Sequence, residues 1–220
     1  MSQFAPRLDV LPAPQRGIWP LLAAVPTDFV LYGGTAIALH LGHRQSVDFD
    51  FFSAVPFEPE ALQNALPLAA SAEVLQKHRN TLSVRTVGVD EVKLSFFGGL
   101  HLAQMDPPGR CQDNHLLVAG LRDLLATKLN TVYQRSEAKD YLDIHALLQA
   151  GLALAEGLAC ARAVYGPGFN LLLPLKALTY FEDGDLPTLS LEIKQSLVAS
   201  VRRVREIPEM KPVADRICGD

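Results

Sequence analysis

Tyr32-Gly33-Gly34-Thr35-Ala36-Ile37-Ala38-Leu39-His40-Leu41-Gly42-His43-Arg44-Gln45-Ser46-Val47-Asp48-Phe49-Asp50-Phe51-Phe52 is the stretch that decides how this 220-residue chain folds. It begins where a short apolar, aromatic run, Phe29 to Tyr32, breaks into a glycine pair. That break is the mark of a buried strand entering a turn. Thr35 to Leu41 suits a helix, and Gly42 is placed to stop it. Val47 to Phe52 alternates with the period of a strand, so Val47, Phe49 and Phe51 share one face and Asp48 and Asp50 the other.

Each part of this stretch has its own chemistry. Paired glycines after a strand let the backbone approach phosphate oxygens, and the helix N-terminus that follows favours anions. The Thr35 hydroxyl can bond a phosphate oxygen or cap the helix. Two carboxylates two residues apart on a strand point the same way, about 7 Å apart at a rise of roughly 3.3 Å per residue. Two like charges so close repel unless a cation lies between them. Hard oxygen donors on that spacing suit Mg²⁺ or Mn²⁺ rather than zinc. Arg44 is a fixed guanidinium able to grip phosphate with two nitrogens, and Ser46 can cap or contact phosphate.

Outward from this stretch, residues 1–13 carry two prolines, with a third at Pro14, and read as an extended lead-in. Gln15 to Ala24 predicts a helix closed by Pro26, and Pro56 to Leu66 a helix entered at Pro59. Ala72 to Gln76, Thr81 to Val87 and Glu91 to Phe97 are strand-like, with Asn80 and Gly88-Val89-Asp90 as turns. They predict an antiparallel meander added to the first two strands. Asp106-Pro107-Pro108-Gly109 is the candidate linker. From Ala119 only helical patterns follow: Leu121 to Arg135, Ala138 to Leu148, Ala153 to Val164, Leu171 to Tyr180 and Leu189 to Arg205. The expected fold is α+β: a small mixed sheet flanked by helices over residues 1–110, then a helical half over 111–220.

Composition narrows the function classes. Hydrophobic residues at 49% provide a sizeable core and exclude wholesale disorder. A net charge of −4 excludes bulk electrostatic attraction to nucleic acid. An acidic site that binds nucleotide through metal ions escapes this restriction. Cys111, Cys160 and Cys218 are too scattered for a disulfide framework or a zinc site. No apolar run is long enough to cross a bilayer and the N-terminus lacks a signal-peptide pattern, so the expected location is cytoplasmic.

The run from Tyr32 to Phe52 resembles the first motif of the AbiEii/AbiGii toxin-like nucleotidyltransferases, a branch of the polymerase-β-like superfamily. Lys128-Leu129-Asn130, Arg135 and Lys139-Asp140-Tyr141-Leu142-Asp143 resemble the family's helical signature. Asn80-Thr81-Leu82, Val92 to Phe97 and Leu178 to Asp183 are smaller matches in the same order. The resemblance implies transfer of a nucleoside monophosphate from an NTP to an acceptor hydroxyl on RNA, such as tRNA, or on protein. It implies a toxin with a cognate antitoxin, or a phage-defence role.

Carried over residue by residue, the resemblance implies that Gly33, Gly34 and Thr35 hold phosphates and that Asp48 and Asp50 ligate one or two Mg²⁺. Lys128 would reach the phosphates, positioned by Asp140 or Asp143, with Arg135 and Lys139 on the same nucleotide site. Spacing places Lys128 and Arg135 on one helix face and pairs Lys139 with Asp143 at i, i+4. Without the resemblance these read as a solvated helix surface worth little energetically. One departure stands out. Members of the superfamily often carry a third carboxylate on a later strand, where this chain offers Lys93 or Ser95, with Asp90 and Glu91 at the turn. A catalytically silent nucleotide-binding module acting through a partner protein, or a purely structural interaction protein, therefore stays open.

Overall fold

The computed structural model describes residues 3–88 and 91–217. Val89, Asp90 and Cys218 lie outside the described residues. The strands are β1 (Gln3–Phe4), β2 (Val30–Tyr32), β3 (Asp48–Phe52), β4 (Glu73–His78), β5 (Thr81–Arg85), β6 (Lys93–Phe97), β7 (Gly109–Cys111) and β8 (Leu117–Val118). They form one mixed sheet in the order β1-β7-β8-β2-β3-β6-β5-β4. The helices are α1 (Ala13–Ile18), α2 (Gly33–Leu41), α3 (Pro59–Ala65), α4 (Pro67–Ala70), α5 (Leu121–Thr131), α6 (Ala138–Gln149), α7 (Leu154–Tyr165), α8 (Leu172–Ala177) and α9 (Leu191–Arg203). The α+β expectation therefore holds.

The centre of the sheet follows from its side chains. Phe49 and Phe51 of β3 are fully buried, and Phe51 stacks on Phe96 of β6 with ring centroids 4.9 Å apart. Burying each such ring contributes about 1.5–3 kcal/mol, which fixes the face of β3 and leaves Asp48 and Asp50 on the other. β3 runs antiparallel to β2 and parallel to β6, so Asp48 lies beside Lys93 and Asp50 beside Ser95. The strand starts one residue later than its alternation predicts. Val47 is 56% exposed rather than on the core face, and its carbonyl accepts a bond from Gln15 Nε2 at 2.7 Å. Helix α2 ends as expected at Gly42, whose φ is +69° and whose amide bonds the Ala38 carbonyl.

The meander β4-β5-β6 is antiparallel. Three features differ from the sequence expectation. The N-terminal lead-in contributes β1, parallel to β7, with the Phe4 ring 4.4 Å from His40. The first helix breaks at Trp19, where Pro20 turns the chain into a 3-10 segment as far as Ala24. The Asp106–Gly109 stretch is pinned rather than free. Asp123 accepts bonds from the amides of Met105 and Asp106 at 2.8 Å, and Asp106 pairs with Arg122 at 3.0 Å. Gly109 then enters the sheet, so β7 reaches residue 111 and β8 lies at 117–118, inside the stretch expected to be helical.

Cys111 and Cys160 are free and buried. Among the described residues, no single helix is long and apolar enough to cross a membrane.

Candidate active site

Helix α2, strands β3 and β6, and helices α5 and α6 enclose a cavity of about 640 Å³. Gly33, Gly34, Arg44, Ser46, Asp48, Asp50, Lys128, Arg135 and Lys139 all line it, and so does Lys93 of β6. Asp48 and Asp50 thus face one space together, as the period of two requires. Among the described residues neither carboxylate is taken up by an ion pair. Burial and the neighbouring Asp48 push the Asp50 carboxyl above its ordinary range, against the opposing pull of Lys93, Lys128 and Arg135. A further cation at Asp50 would therefore act against the burial and the charge of Asp48 that raise it.

The glycine pair has steric reasons that spacing alone does not reveal. Gly33 has φ +73°, and a Cβ there would fall 2.7 Å from Asp50 Oδ2. A Cβ on Gly34 would fall 2.3 Å from Arg44 Nη2 and 3.2 Å from Ser46 Oγ. The first glycine makes room for the carboxylate and the second for the guanidinium. Gly33→Ala is expected to cost about 1–2 kcal/mol from the left-handed backbone and to displace Asp50. A displacement of about 1 Å lowers turnover on the order of a hundredfold, so initial rates and thermal unfolding should both fall. An unchanged rate would contradict the steric account.

Thr35 does not face the cavity. It is 1% exposed, and its hydroxyl donates to the Asp48 carbonyl, tying the start of α2 to β3. The N-cap position is Tyr32, with no side-chain cap. Neither phosphate contact nor capping describes Thr35; it fixes the helix against the strand that carries the carboxylates.

The second motif is a buried ionic lattice rather than a solvated helix surface. Lys128, on α5, is 6% exposed, and its Nζ lies 2.7 Å from both Asp140 Oδ1 and Asp143 Oδ2. Both aspartates are fully buried on α6, below the cavity wall. Arg135 reaches Asp140 through Nε at 2.8 Å and Nη2 at 3.2 Å. Arg44 grips Asp143 through Nε at 2.7 Å and Nη2 at 2.8 Å. The two-pronged guanidinium contact expected for a phosphate is thus made to Asp143. His43 Nε2 lies 2.7 Å from the same carboxylate.

Burial raises Asp143, but hydrogen bonds from His43 and Arg44 and the charge of Lys128 outweigh it and hold the carboxyl well below its usual range. Asp140 is likewise raised by burial and brought lower overall by Arg135 and Lys128.

Two spacing expectations fail here. Helix α5 ends at Thr131, so Arg135 does not share its face with Lys128. The two instead converge on the Asp140 carboxylate, Lys128 on Oδ1 and Arg135 on both oxygens. Lys139 pairs with Glu137 at 2.7 Å rather than with Asp143, which points inward.

Residues that sequence reasoning left aside also line the cavity: Phe52, Phe97, Thr127, Thr131 and Gln134. The aromatic pair was accessible in principle, because Phe52 continues the face of Asp48 and Asp50, and Phe97 is its register partner on β6. Arg202, Arg203 and Arg205 border a separate open groove of about 590 Å³ along α9, with no carboxylate among its lining residues.

Residues 21–203 match the family described as nucleotidyl transferase AbiEii toxin, type IV TA system. The uncharacterized protein aq_aa25 of Aquifex aeolicus (strain VF5) is 30% identical over 159 residues, covering 71% of this chain and 75% of that protein. The fold resembles that of the nucleotidyltransferase toxin MenT4 from Mycobacterium tuberculosis H37Rv, with a TM-score of 0.56, 15% identity and coverage of 87% and 84% of the two chains. It also resembles a candidate nucleotidyltransferase from H. pylori, with a TM-score of 0.53, 20% identity and coverage of 86% and 90%. With residues 21–203 of its 220 matched, the chain belongs to the AbiEii nucleotidyltransferase toxin family.

Proposed function

We propose that this chain transfers a nucleoside monophosphate from an NTP to an acceptor hydroxyl, releasing pyrophosphate. We propose further that it is the toxin of a toxin–antitoxin or phage-defence pair, acting in the cytoplasm with a cognate antitoxin as partner. One observation carries this reading: Asp48 and Asp50 face the same cavity without ion-pair partners among the described residues, beside the glycine start of α2 and a lysine backed by two aspartates.

The residues present fit a divalent cation. Both donors are hard oxygens on one face of one strand. Among the described residues no group of three or more His, Cys, Asp or Glu could hold a metal. Two carboxylates leave the remaining positions to water and phosphate oxygens, as Mg²⁺ or Mn²⁺ prefers in nucleotide sites. When bound there, the ion neutralises the triphosphate and the leaving pyrophosphate.

The protein's own contribution is positioning and charge. Gly33 and Gly34 at the start of α2 offer the positive end of the helix to phosphate, with Thr35 holding that end against β3. Lys128 faces the phosphates as a point charge fixed by Asp140 and Asp143. Arg44, Ser46, Arg135 and Lys139 complete the nucleotide side. In this reading residues 1–110 carry the carboxylates and residues 111–220 complete the pocket. RNA such as tRNA, or a protein side chain, is the acceptor.

A silent nucleotide-binding module is the second reading, favoured by the lysine and serine on β6 where a third carboxylate would stand. Incubation with each α-labelled NTP, Mg²⁺, total RNA and cell lysate separates the two. Transfer predicts label in RNA or protein together with released pyrophosphate. NTP binding by calorimetry with no pyrophosphate released over hours supports the silent module.

A further inference from the structure

The surroundings of the carboxylate pair are asymmetric. On one flank β2 places Tyr32 beside Asp50. On the other, β6 places Ser95 beside Asp50 and Lys93 beside Asp48. Ser95 is 1% exposed, and its hydroxyl accepts a bond from Ser83 at 3.2 Å. Lys93 is exposed on the cavity wall and, among the described residues, makes no ion pair.

Among the described residues, the carboxylates that line the cavity with the pair or stand behind it are committed. Asp140 and Asp143 are taken by Lys128, Arg135 and Arg44. Glu137 is held by Lys139 at 2.7 Å and Arg135 at 3.7 Å. Glu73, on the same face three strands out from β3, pairs with Arg85 at 3.2 Å.

From this arrangement we propose that Asp48 and Asp50 hold a single divalent cation, and that the Lys93 ammonium takes the place of a second. The inference rests on the nucleotidyltransferase reading above and adds to it the metal count and the role of Lys93. Two dications about 3.5–4 Å apart repel strongly, and two-metal sites offset this with bridging and flanking carboxylates. Here two negative charges are partly offset by one ammonium carried on the adjacent strand, whose backbone lies about 4.8 Å from that of β3. Among the described residues that line the cavity, Glu137 is the one carboxylate besides the pair, and Lys139 and Arg135 hold it, so none is left there to receive a second ion. A single cation on the carboxylates, with Lys93 beside it, satisfies both charge and ligand count. Lys93 then meets the anionic oxygens that a second metal would meet on the β6 side of the site. It is a positioning residue for that charge rather than a proton acceptor.

Mn²⁺ titration of the full chain without nucleotide, with free ion followed by electron paramagnetic resonance, tests this directly. Wild type should bind about one Mn²⁺ per chain and Lys93→Glu about two, since glutamate adds a ligand and removes the competing charge. Lys93→Ala adds no ligand, so it should bind about one ion, several-fold more tightly than wild type; it keeps the test readable if Lys93→Glu fails to fold. Two ions bound by wild type, one ion bound by folded Lys93→Glu, or unchanged affinity in Lys93→Ala each overturns the assignment while leaving the enzyme reading standing. If wild type binds no ion and matches Asp48→Ala, both the assignment and the reading beneath it fall.

Discussion

Asp143→Ala is expected to lower stability by about 3–5 kcal/mol, because it strands buried cations rather than deleting a surface pair. Lys128, His43 and Arg44 all direct nitrogens at this one carboxylate, at 2.7 to 2.8 Å. Their side chains are 8%, 13% and 18% exposed, so water replaces the lost partner only in part. An exposed ion pair would contribute about 0–1 kcal/mol. Asp143→Asn keeps the volume and part of the hydrogen bonding and should fall between the two.

The pH dependence follows from the direction of the shift. The folded carboxyl lies below its unfolded value. Its stabilisation is therefore complete above an unfolded pKa of about 3.9 and fades as pH falls toward the folded one. The gap between wild type and Asp143→Ala should thus be full at neutral pH and narrow only in strong acid. Urea unfolding at several pH values checks this. A neutral-pH loss below about 1 kcal/mol would place the lattice in the weak class of surface pairs.

The sequence revealed the carboxylate face more readily than the lattice behind it. Asp48 and Asp50 could be placed because a period of two is local and the intervening phenylalanines leave no choice of face. Lys128, Asp140 and Asp143 gave only half their meaning. Their neighbours along the helix suggested surface charge, and nothing local indicates that Arg44 and His43 arrive from about a hundred residues away. Buried charge is read from partners, and those partners are distant in sequence.

The short strands were invisible for a different reason. Gln3–Phe4 and Leu117–Val118 are two residues each, too brief for any periodicity, and exist because the sheet supplies their partners. Thr35 was misread because a hydroxyl after two glycines suits phosphate as well as it suits a carbonyl one strand away. Gly33 and Gly34 stand where β2 passes into α2, and the groups that approach them are Asp50 and Arg44 of the chain itself.

Removal of either carboxylate of the acidic pair should have the largest effect on activity. On the proposed reading, loss of either carboxylate would take away half of the protein ligands of the cation, several kcal/mol of charge stabilisation, or about a thousandfold or more in rate. Stability should move the other way for Asp50. Its carboxyl is raised in the fold by burial and by Asp48, so at neutral pH the ionised form works against folding. Asp50→Ala and Asp50→Asn should therefore unfold no earlier than wild type, an activity loss without a stability loss.

The decisive measurement is Mg²⁺-dependent transfer of label from α-labelled NTP by wild type, Asp48→Ala and Asp50→Ala, each checked by thermal unfolding. The account predicts label with wild type and none with either folded variant. Labelling at the wild-type rate in both would show that the reaction does not run through these two side chains, and would contradict it.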